Sequence, residues 1–243
     1  MINKIKENFN IEQYKLMIGK KSNIHKVSYF FKKDIKDLHT KKILFLDFEF
    51  SMNKFIFEVG GFILNKGALE ETIFEEYSLP LNEPVWSFEQ NKFVVQKINP
   101  RKQLFSKLDA MGLKSIINRV DYVVAHNYVA EAQCLFKMDY PNEKYDINKV
   151  DIFNSDKIIC TNYSFKNNYF KGLGVSECSN SKISEAMGWK VIDSGDSYLI
   201  KNDLLSVNFK MKKPAGVESK LHNSFYDSII TLTNFFSLKR IAG

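Results

Sequence analysis

The chain has 243 residues, of which 44% are hydrophobic and 14% aromatic, enough for one large domain with a substantial core. No apolar run reaches the ~18–20 residues of a membrane-spanning helix, and the N-terminus lacks an apolar signal segment. We therefore expect a cytoplasmic protein with no membrane partner. Its three cysteines, Cys134, Cys160 and Cys178, form no C-x-x-C pair and predict reduced thiols rather than a zinc site.

The positive charge is concentrated at the N-terminus. The net charge is +7, and residues 1–42 contain 11 lysines and 4 acidic residues, so the remainder carries 24 charges of each sign. A lysine-rich arm suits the phosphate backbone of a nucleic acid, where lysine adds affinity without reading sequence. The alternative is a solvated, partly helical lead-in. We divide the chain into a basic extension, residues 1–40, and a core domain, residues 41–243.

The first half of the core domain predicts hairpin-like strands. Apolar, strand-forming residues occupy three segments, and Gly60-Gly61 inside the second segment indicates a close backbone approach or a bulge. Prolines then bracket a long loop. The predicted strands are residues 43–50, 54–64 and 72–79, and the loop is residues 80–102.

The second half alternates helical spacing with short apolar runs, which together with the hairpins predicts an α/β fold with a mixed sheet. Ser181 is the expected N-cap of a small helix that ends at Gly188. Residues 190–221 are a polar insert, in which residues 210–213 predict a mobile basic loop. The predicted helices are residues 102–120, 129–138, 182–187 and 225–240, and the predicted strands are residues 121–125 and 158–160.

Two acids, Asp47 and Glu49, end the first predicted strand between Phe48 and Phe50. Residues two apart on a strand point to the same face, so these carboxylates project together. Their mutual repulsion and burial are costly unless a cation compensates. The hard cations Mg²⁺ and Mn²⁺ take oxygen ligands and would do so. The alternative is a strand end with two solvated acids.

Two further acids lie close to histidines at element boundaries. Glu131 lies five residues after His126, which ends a predicted strand, and Asp227 lies five residues after His222, at the start of the last helix. With these spacings the chain resembles the DEDD superfamily of 3′-to-5′ exonucleases. LFLDFEF around Asp47 looks like the first motif, VAHN with Glu131 like the second, and His222 with Asp227 like the third.

The third motif resembles the histidine-bearing DEDDh subgroup of proofreading subunits and their stand-alone relatives. The tyrosine-bearing subgroup has tyrosine four residues before the last aspartate, where this chain has Asn223. The resemblance covers residues 41–240, apart from the insert. It implies a ribonuclease H-like fold, with three antiparallel strands followed by parallel strands and flanking helices. It also implies hydrolysis of phosphodiester bonds at single-stranded or frayed 3′ ends of DNA or RNA, releasing nucleoside monophosphates.

By resemblance, two divalent metal ions, Mg²⁺ or Mn²⁺, would be held by four carboxylates. Asp47, Glu49 and Asp227 would hold the ion that activates water, Asp47 would bridge to the second ion beside Glu131, and His222 would be the general base. Two metals at one phosphodiester supply a nucleophile and neutralise the phosphoryl oxygens. The family has aspartate where this chain has Glu131, which is one methylene longer. The longer side chain either still reaches the site or weakens the second metal.

The candidate substrate-binding residues are Phe50, Ser51, His126 and Asn127. Phe50 either stacks on a base or packs in the core. Asn127 either contacts substrate or satisfies backbone groups, and His126 is expected to order the strand end rather than bind metal. The alternative function is a catalytically weak module of the same fold that binds nucleic-acid ends or a partner. The possible protein partners are a polymerase, another protein or a second copy of the chain.

Overall fold

The computed structural model describes residues 40–87, 89–95, 102–146, 149, 157–162, 179–203, 205–217 and 223–242. These residues do not include the chain before Thr40, nor Cys178 and His222. Cys134 and Cys160 are buried thiols outside any disulfide bond. No described helix is long and apolar enough to span a membrane. The elements are β1 (Lys42–Phe50), β2 (Ile56–Asn65), β3 (Ala68–Glu76), β4 (Pro84–Ser87), β5 (Lys92–Val95), α1 (Lys107–Asn118), β6 (Tyr122–Ala125), α2 (Val129–Asp139), β7 (Ile158–Cys160), α3 (Asn180–Ala186), β8 (Trp189–Asp193), β9 (Ser197–Asn202), β10 (Val207–Lys212) and α4 (Ser224–Ala242).

A five-stranded mixed sheet forms the centre of the fold, in the order β3-β2-β1-β6-β7. The first three strands are antiparallel, whereas β6 pairs parallel to β1 and β7 parallel to β6. Residues Ile43 to Leu46 of β1 are 0% exposed. A continuous apolar run is expected for a strand covered on both faces. The predicted α/β class with a mixed sheet is confirmed.

Alternate residues of β1 pack into two separate cores. Ile43 and Phe45 face α4, where the Phe45 and Phe235 rings meet edge to face with centroids 5.7 Å apart. Leu44 and Leu46 face the opposite layer, which contains α1 and α2. The period of two along a strand therefore decides which layer each side chain meets.

The two glycines of β2 lie where the backbone layers come closest. A Cβ on Gly60 would lie 2.1 Å from the backbone N of Phe225 in α4, and one on Gly61 would lie 2.4 Å from the carbonyl O of Phe45. No side chain fits such contacts, which confirms the predicted close approach. The first turn of α4 thus rests directly on the middle of β2.

The prediction of a mobile basic loop at residues 210–213 was wrong, because residues 207–212 form strand β10. β8, β9 and β10 make a three-stranded antiparallel sheet in the order β10-β9-β8. Val207, Phe209 and Met211 are buried in the core beneath α4. Lys213 is also buried, and its Nζ donates to Asp193 Oδ1 at 2.6 Å. The lysines alternate with core residues, as a strand with one covered face requires.

The predicted loop over residues 80–102 contains a short two-stranded ribbon, β4 paired antiparallel with β5. Two helix starts also differ from prediction for local reasons. α1 begins at Lys107 because Ser106 and Asp109 form a capping box. α3 begins at Asn180, whose side chain donates to the carbonyl O of Asp227 and to Thr231 Oγ1. Gly188 follows α3 with φ of +80°, the left-handed conformation expected at a helix end.

Candidate active site

Three carboxylates meet where β1 leaves the core and α4 begins. Asp47 and Glu49 continue the face of β1 that carries Ile43 and Phe45, and that face is covered by α4. Asp227 lies in the first turn of α4. One carboxylate oxygen from each of Asp47, Glu49 and Asp227 lies within 4.8 Å of the other two. The structure therefore brings the two acids of the first predicted motif together with Asp227 of the third.

The start of α4 is held in place by side chains on both sides. Asn223 is the N-cap, because its Oδ1 accepts a hydrogen bond from the backbone N of Tyr226 at 3.0 Å. Glu58 on β2 accepts from the backbone N of Ser224 at 2.6 Å and from its hydroxyl at 2.8 Å. These bonds set the rotation of the first helical turn and hence the direction of the Asp227 side chain.

Glu58 is a fifth acid that the sequence motifs do not include. It lies directly opposite Glu49 in the antiparallel pairing of β1 with β2. Burial raises the pKa of Glu58, while the hydrogen bonds from Ser224 oppose that rise. The only sequence signal for it is the hairpin register, which becomes readable once the turn between β1 and β2 is known.

The crowded carboxylates favour their protonated forms. Burial, then the charges of Asp227 and Glu49, hold the pKa of Asp47 well above its usual range. Burial, followed by Asp227 and Glu58, does the same to the pKa of Glu49. Burial and Glu58 raise the pKa of Asp227 to about 7. Such a cluster needs either protons or cations to neutralise it.

Glu131 approaches the same region from the other layer, in the first turn of α2. Its charge acts on Asp47 and Glu49, although its oxygens are not within the 4.8 Å group. The residue is 2% exposed, and its Oε2 is buried without a hydrogen-bond partner. Burial raises its pKa to about 8, against the opposing effects of a backbone hydrogen bond and the Lys54 charge. A buried carboxylate oxygen without a hydrogen-bond partner costs free energy of folding unless a bound ligand supplies that partner.

The loop after β1 presents a cation to this cluster. Lys54 has φ of +68° and places its Nζ over the Phe50 ring, 4.1 Å from the centroid. Phe50 itself packs partly against the core on the α1 and α2 side. Ser51 is buried, and its hydroxyl accepts from the backbone N of Phe55 at 3.0 Å and bonds to Glu83. The Ser51 hydroxyl therefore holds the loop together.

His126 and Asn127 shape the corner between β6 and α2. Asn162 Nδ2 lies 3.2 Å from His126 Nε2, and His126 Nδ1 lies 2.8 Å from Thr161 Oγ1. Thr161 in turn donates to the carbonyl O of Ala125 at 3.4 Å. These contacts tie the ends of β6 and β7 together. Asn127 has φ of +69°, a left-handed conformation that asparagine tolerates better than most residues.

The all-oxygen donor set of Asp47, Glu49 and Asp227 fits a hard divalent cation. Glu131 lies outside this group of three, and its buried, unpartnered Oε2 is the kind of atom to which a bound ligand supplies a partner. His222, the predicted base, lies outside the described residues and stays a prediction. No protein-family model matches the chain, and a search of curated proteins finds no match to it.

Proposed function

We propose that the chain is a metal-dependent 3′-to-5′ exonuclease with a ribonuclease H-like fold. The observation that carries this proposal is the meeting of Asp47, Glu49 and Asp227 oxygens within 4.8 Å. The sheet order, with three antiparallel strands followed by two parallel ones, is compatible with that fold. Two acids from one strand and a third from the last helix are the arrangement that the resemblance to the DEDD superfamily implies.

The residues proposed to hold divalent cations are Asp47, Glu49, Asp227 and Glu131. Cations bound there would supply a water-derived nucleophile and neutralise charge on the phosphoryl oxygens. The chain contributes rigidity, because Asp47 follows directly on the fully buried Leu46 and Asp227 lies on a helix start tied to β2 by Glu58. Ligands fixed in this way need little rearrangement as charge develops.

His222 is proposed as the general base, on the sequence evidence of its position five residues before Asp227. A neutral imidazole accepts a proton from the attacking water efficiently near pH 7, because its ordinary pKa of ~6.5 lies close to that pH. Loss of a general base reduces turnover by about 10²–10⁴-fold, which sets the expected effect of His222→Ala.

The test is hydrolysis of 5′-labelled single-stranded DNA and RNA of one sequence, with Mg²⁺ or Mn²⁺ and with excess chelator. We expect products that shorten from the 3′ end, no shortening when that end is blocked, and no products with chelator. Asp47→Asn should abolish hydrolysis, whereas Asp203→Asn should not, because Asp203 is an exposed acid paired with Lys190 at 3.7 Å. Equal hydrolysis by wild type and Asp47→Asn would contradict the proposal.

A binding module with weak catalysis is the second candidate. It is favoured by the position of Glu131 outside the compact group of three oxygens. Under this candidate, the wild type binds labelled strands in a gel-shift assay but releases no nucleotides at any Mn²⁺ concentration. Glu131→Asp would then be the informative variant, since the shorter side chain of the resembled family should raise nucleotide release if the length of this side chain is the defect.

A further inference from the structure

The two-stranded ribbon β4–β5 carries an exposed apolar face and adjoins the loop that follows β1. Val85 is buried, whereas Trp86 is 39%, Phe93 48% and Val95 59% exposed. Trp86 pairs with Phe93 across the ribbon, and their rings meet edge to face with centroids 5.1 Å apart. One side of the ribbon therefore anchors it to the protein, and the other presents two aromatic rings to solvent.

Hydrogen bonds join the ribbon to the loop that follows β1, the strand that carries Asp47 and Glu49. The backbone N of Met52 donates to the carbonyl O of Pro84 at 2.9 Å. Glu83 accepts hydrogen bonds from the backbone N of Asn53 at 3.0 Å and from its side-chain Nδ2 at 3.2 Å. Because Trp86 is two residues beyond Pro84, it lies about 7 Å along the strand from this junction. The aromatic face is thus mounted on the loop that begins two residues after Glu49.

The chemistry of this face matches unpaired nucleobases. Aromatic side chains that bind single strands stack on the faces of bases, while nearby cations follow the phosphates. Phe93 faces the same side of the ribbon as Trp86, whereas exposed Lys92, one residue earlier on β5, faces the opposite side. Lys54 lies on the adjoining loop over the Phe50 ring. Exposed aromatic rings on a ribbon joined to a lysine-bearing loop suit an anionic chain with flat bases.

We propose that the outer face of β4–β5 is a stacking surface for the unpaired bases of a single-stranded nucleic acid whose 3′ end enters the carboxylate cluster. This inference rests on the proposed exonuclease function for the direction of the strand. It adds a requirement for several unpaired nucleotides upstream of the scissile bond. Trp86 and Phe93 would be contacts for those nucleotides, and they would take no part in hydrolysis.

The test is a binding titration of the full chain with 5′-fluorescein-labelled dT12 in excess chelator, read by anisotropy. Trp86→Ala with Phe93→Ala should raise the Kd by about ten- to a hundredfold, the loss expected for one or two base stacks. Trp86→Phe should bind nearly as well as wild type, because it keeps an aromatic face. The matched control is Leu108→Ala with Met111→Ala, which removes two apolar side chains of α1 that are 76% and 67% exposed.

A hydrolysis arm separates this inference from the function on which it rests. With Mn²⁺, the double ribbon variant should lose activity on dT12 through KM and keep wild-type activity on a dinucleotide too short to reach the ribbon. Binding that depends on Trp86 without any hydrolysis would overturn the exonuclease and keep the surface. Hydrolysis with equal Kd values in wild type and ribbon variant would overturn the surface and keep the exonuclease.

Two further outcomes would also overturn the surface. One is the absence of dT12 binding by the wild type. The other is self-association that the Trp86→Ala and Phe93→Ala variant abolishes while its dT12 affinity is unchanged, measured by sedimentation velocity. The second result would assign the ribbon to an interface between copies of the chain. A thermal melt of the variant, expected to match wild type because both rings are exposed, confirms that any loss of binding is local.

Discussion

Asp227→Asn should stabilise the metal-free protein at pH 8 while removing its activity. In the folded chain, burial and then Glu58 raise the pKa of Asp227 from 3.8 to about 7. Because the pKa of Asp227 is higher in the folded chain than in the unfolded chain, the contribution of Asp227 to folding stability is fully present below about pH 4. That contribution is lost as the pH rises through about 7. Asparagine resembles the neutral acid in shape and carries no charge at any pH.

The expected gain follows from the pKa difference. A pKa that rises from 3.8 to about 7 disfavours the charged form in the folded state by about 4 kcal/mol, which is an upper limit because the cluster relaxes and takes up protons elsewhere. In a domain of this length, 1 kcal/mol shifts the Tm by about 2–4 °C. We therefore expect Asp227→Asn to raise the Tm by about 5–10 °C at pH 8 in chelator, and by little at pH 4.

The assay is thermal unfolding in excess chelator at pH 4 and pH 8, repeated at pH 8 with Mn²⁺. Mn²⁺ should raise the Tm of wild type much more than that of Asp227→Asn, because the variant lacks one of the proposed ligands. Asp203→Asn, which changes an exposed acid, serves as the control and should leave all three values unchanged. A variant no more stable than wild type at pH 8 would refute the reasoning that burial and the neighbouring Glu58 disfavour the charged form of Asp227.

Two further pairs of substitutions, each a test and its control, examine the packing of the fold. Gly60→Ala should destabilise the fold by about 3 kcal/mol in urea unfolding, because its Cβ would lie 2.1 Å from the backbone N of Phe225. The control is Gly112→Ala in α1, whose Cβ meets nothing within 4 Å and which should be neutral or stabilising. Phe209→Ala should cost about 3–5 kcal/mol, while Lys210→Ala should change unfolding by less than about 0.5 kcal/mol. Similar small losses for Phe209 and Lys210 would contradict the assignment of β10 as a core strand.

The sequence patterns that succeeded were those in which one physical demand dominates. The apolar run at Ile43–Leu46 predicts a strand covered on both faces, since no amphipathic element carries so many consecutive apolar residues. Paired glycines at Gly60 and Gly61 predict a close approach, because glycine weakens a strand unless the missing side chain is needed. The two acids of β1 predict a shared face from the period of two alone.

The predictions that were wrong or incomplete concern segments where two sequence signals conflicted or where no local signal exists. Three of the four residues 210–213 are lysines, although Val207, Phe209 and Met211 recur at every second position as a half-buried strand requires. In the ribbon, flanking prolines indicated a loop, and the strands are only four residues each. Glu58 has no motif, because its place in the site comes from strand register and from contact with a helix more than 160 residues later.

The backbone at Gly60 packs directly against the start of α4, and hydrogen bonds from Ser224 to Glu58 reinforce this contact. Two backbones at that spacing leave no room to slide, so α4 and β2 move as one body and the acid triad is a preset frame. Adaptation to an incoming ligand therefore falls to parts of the chain other than β2 and the first turn of α4.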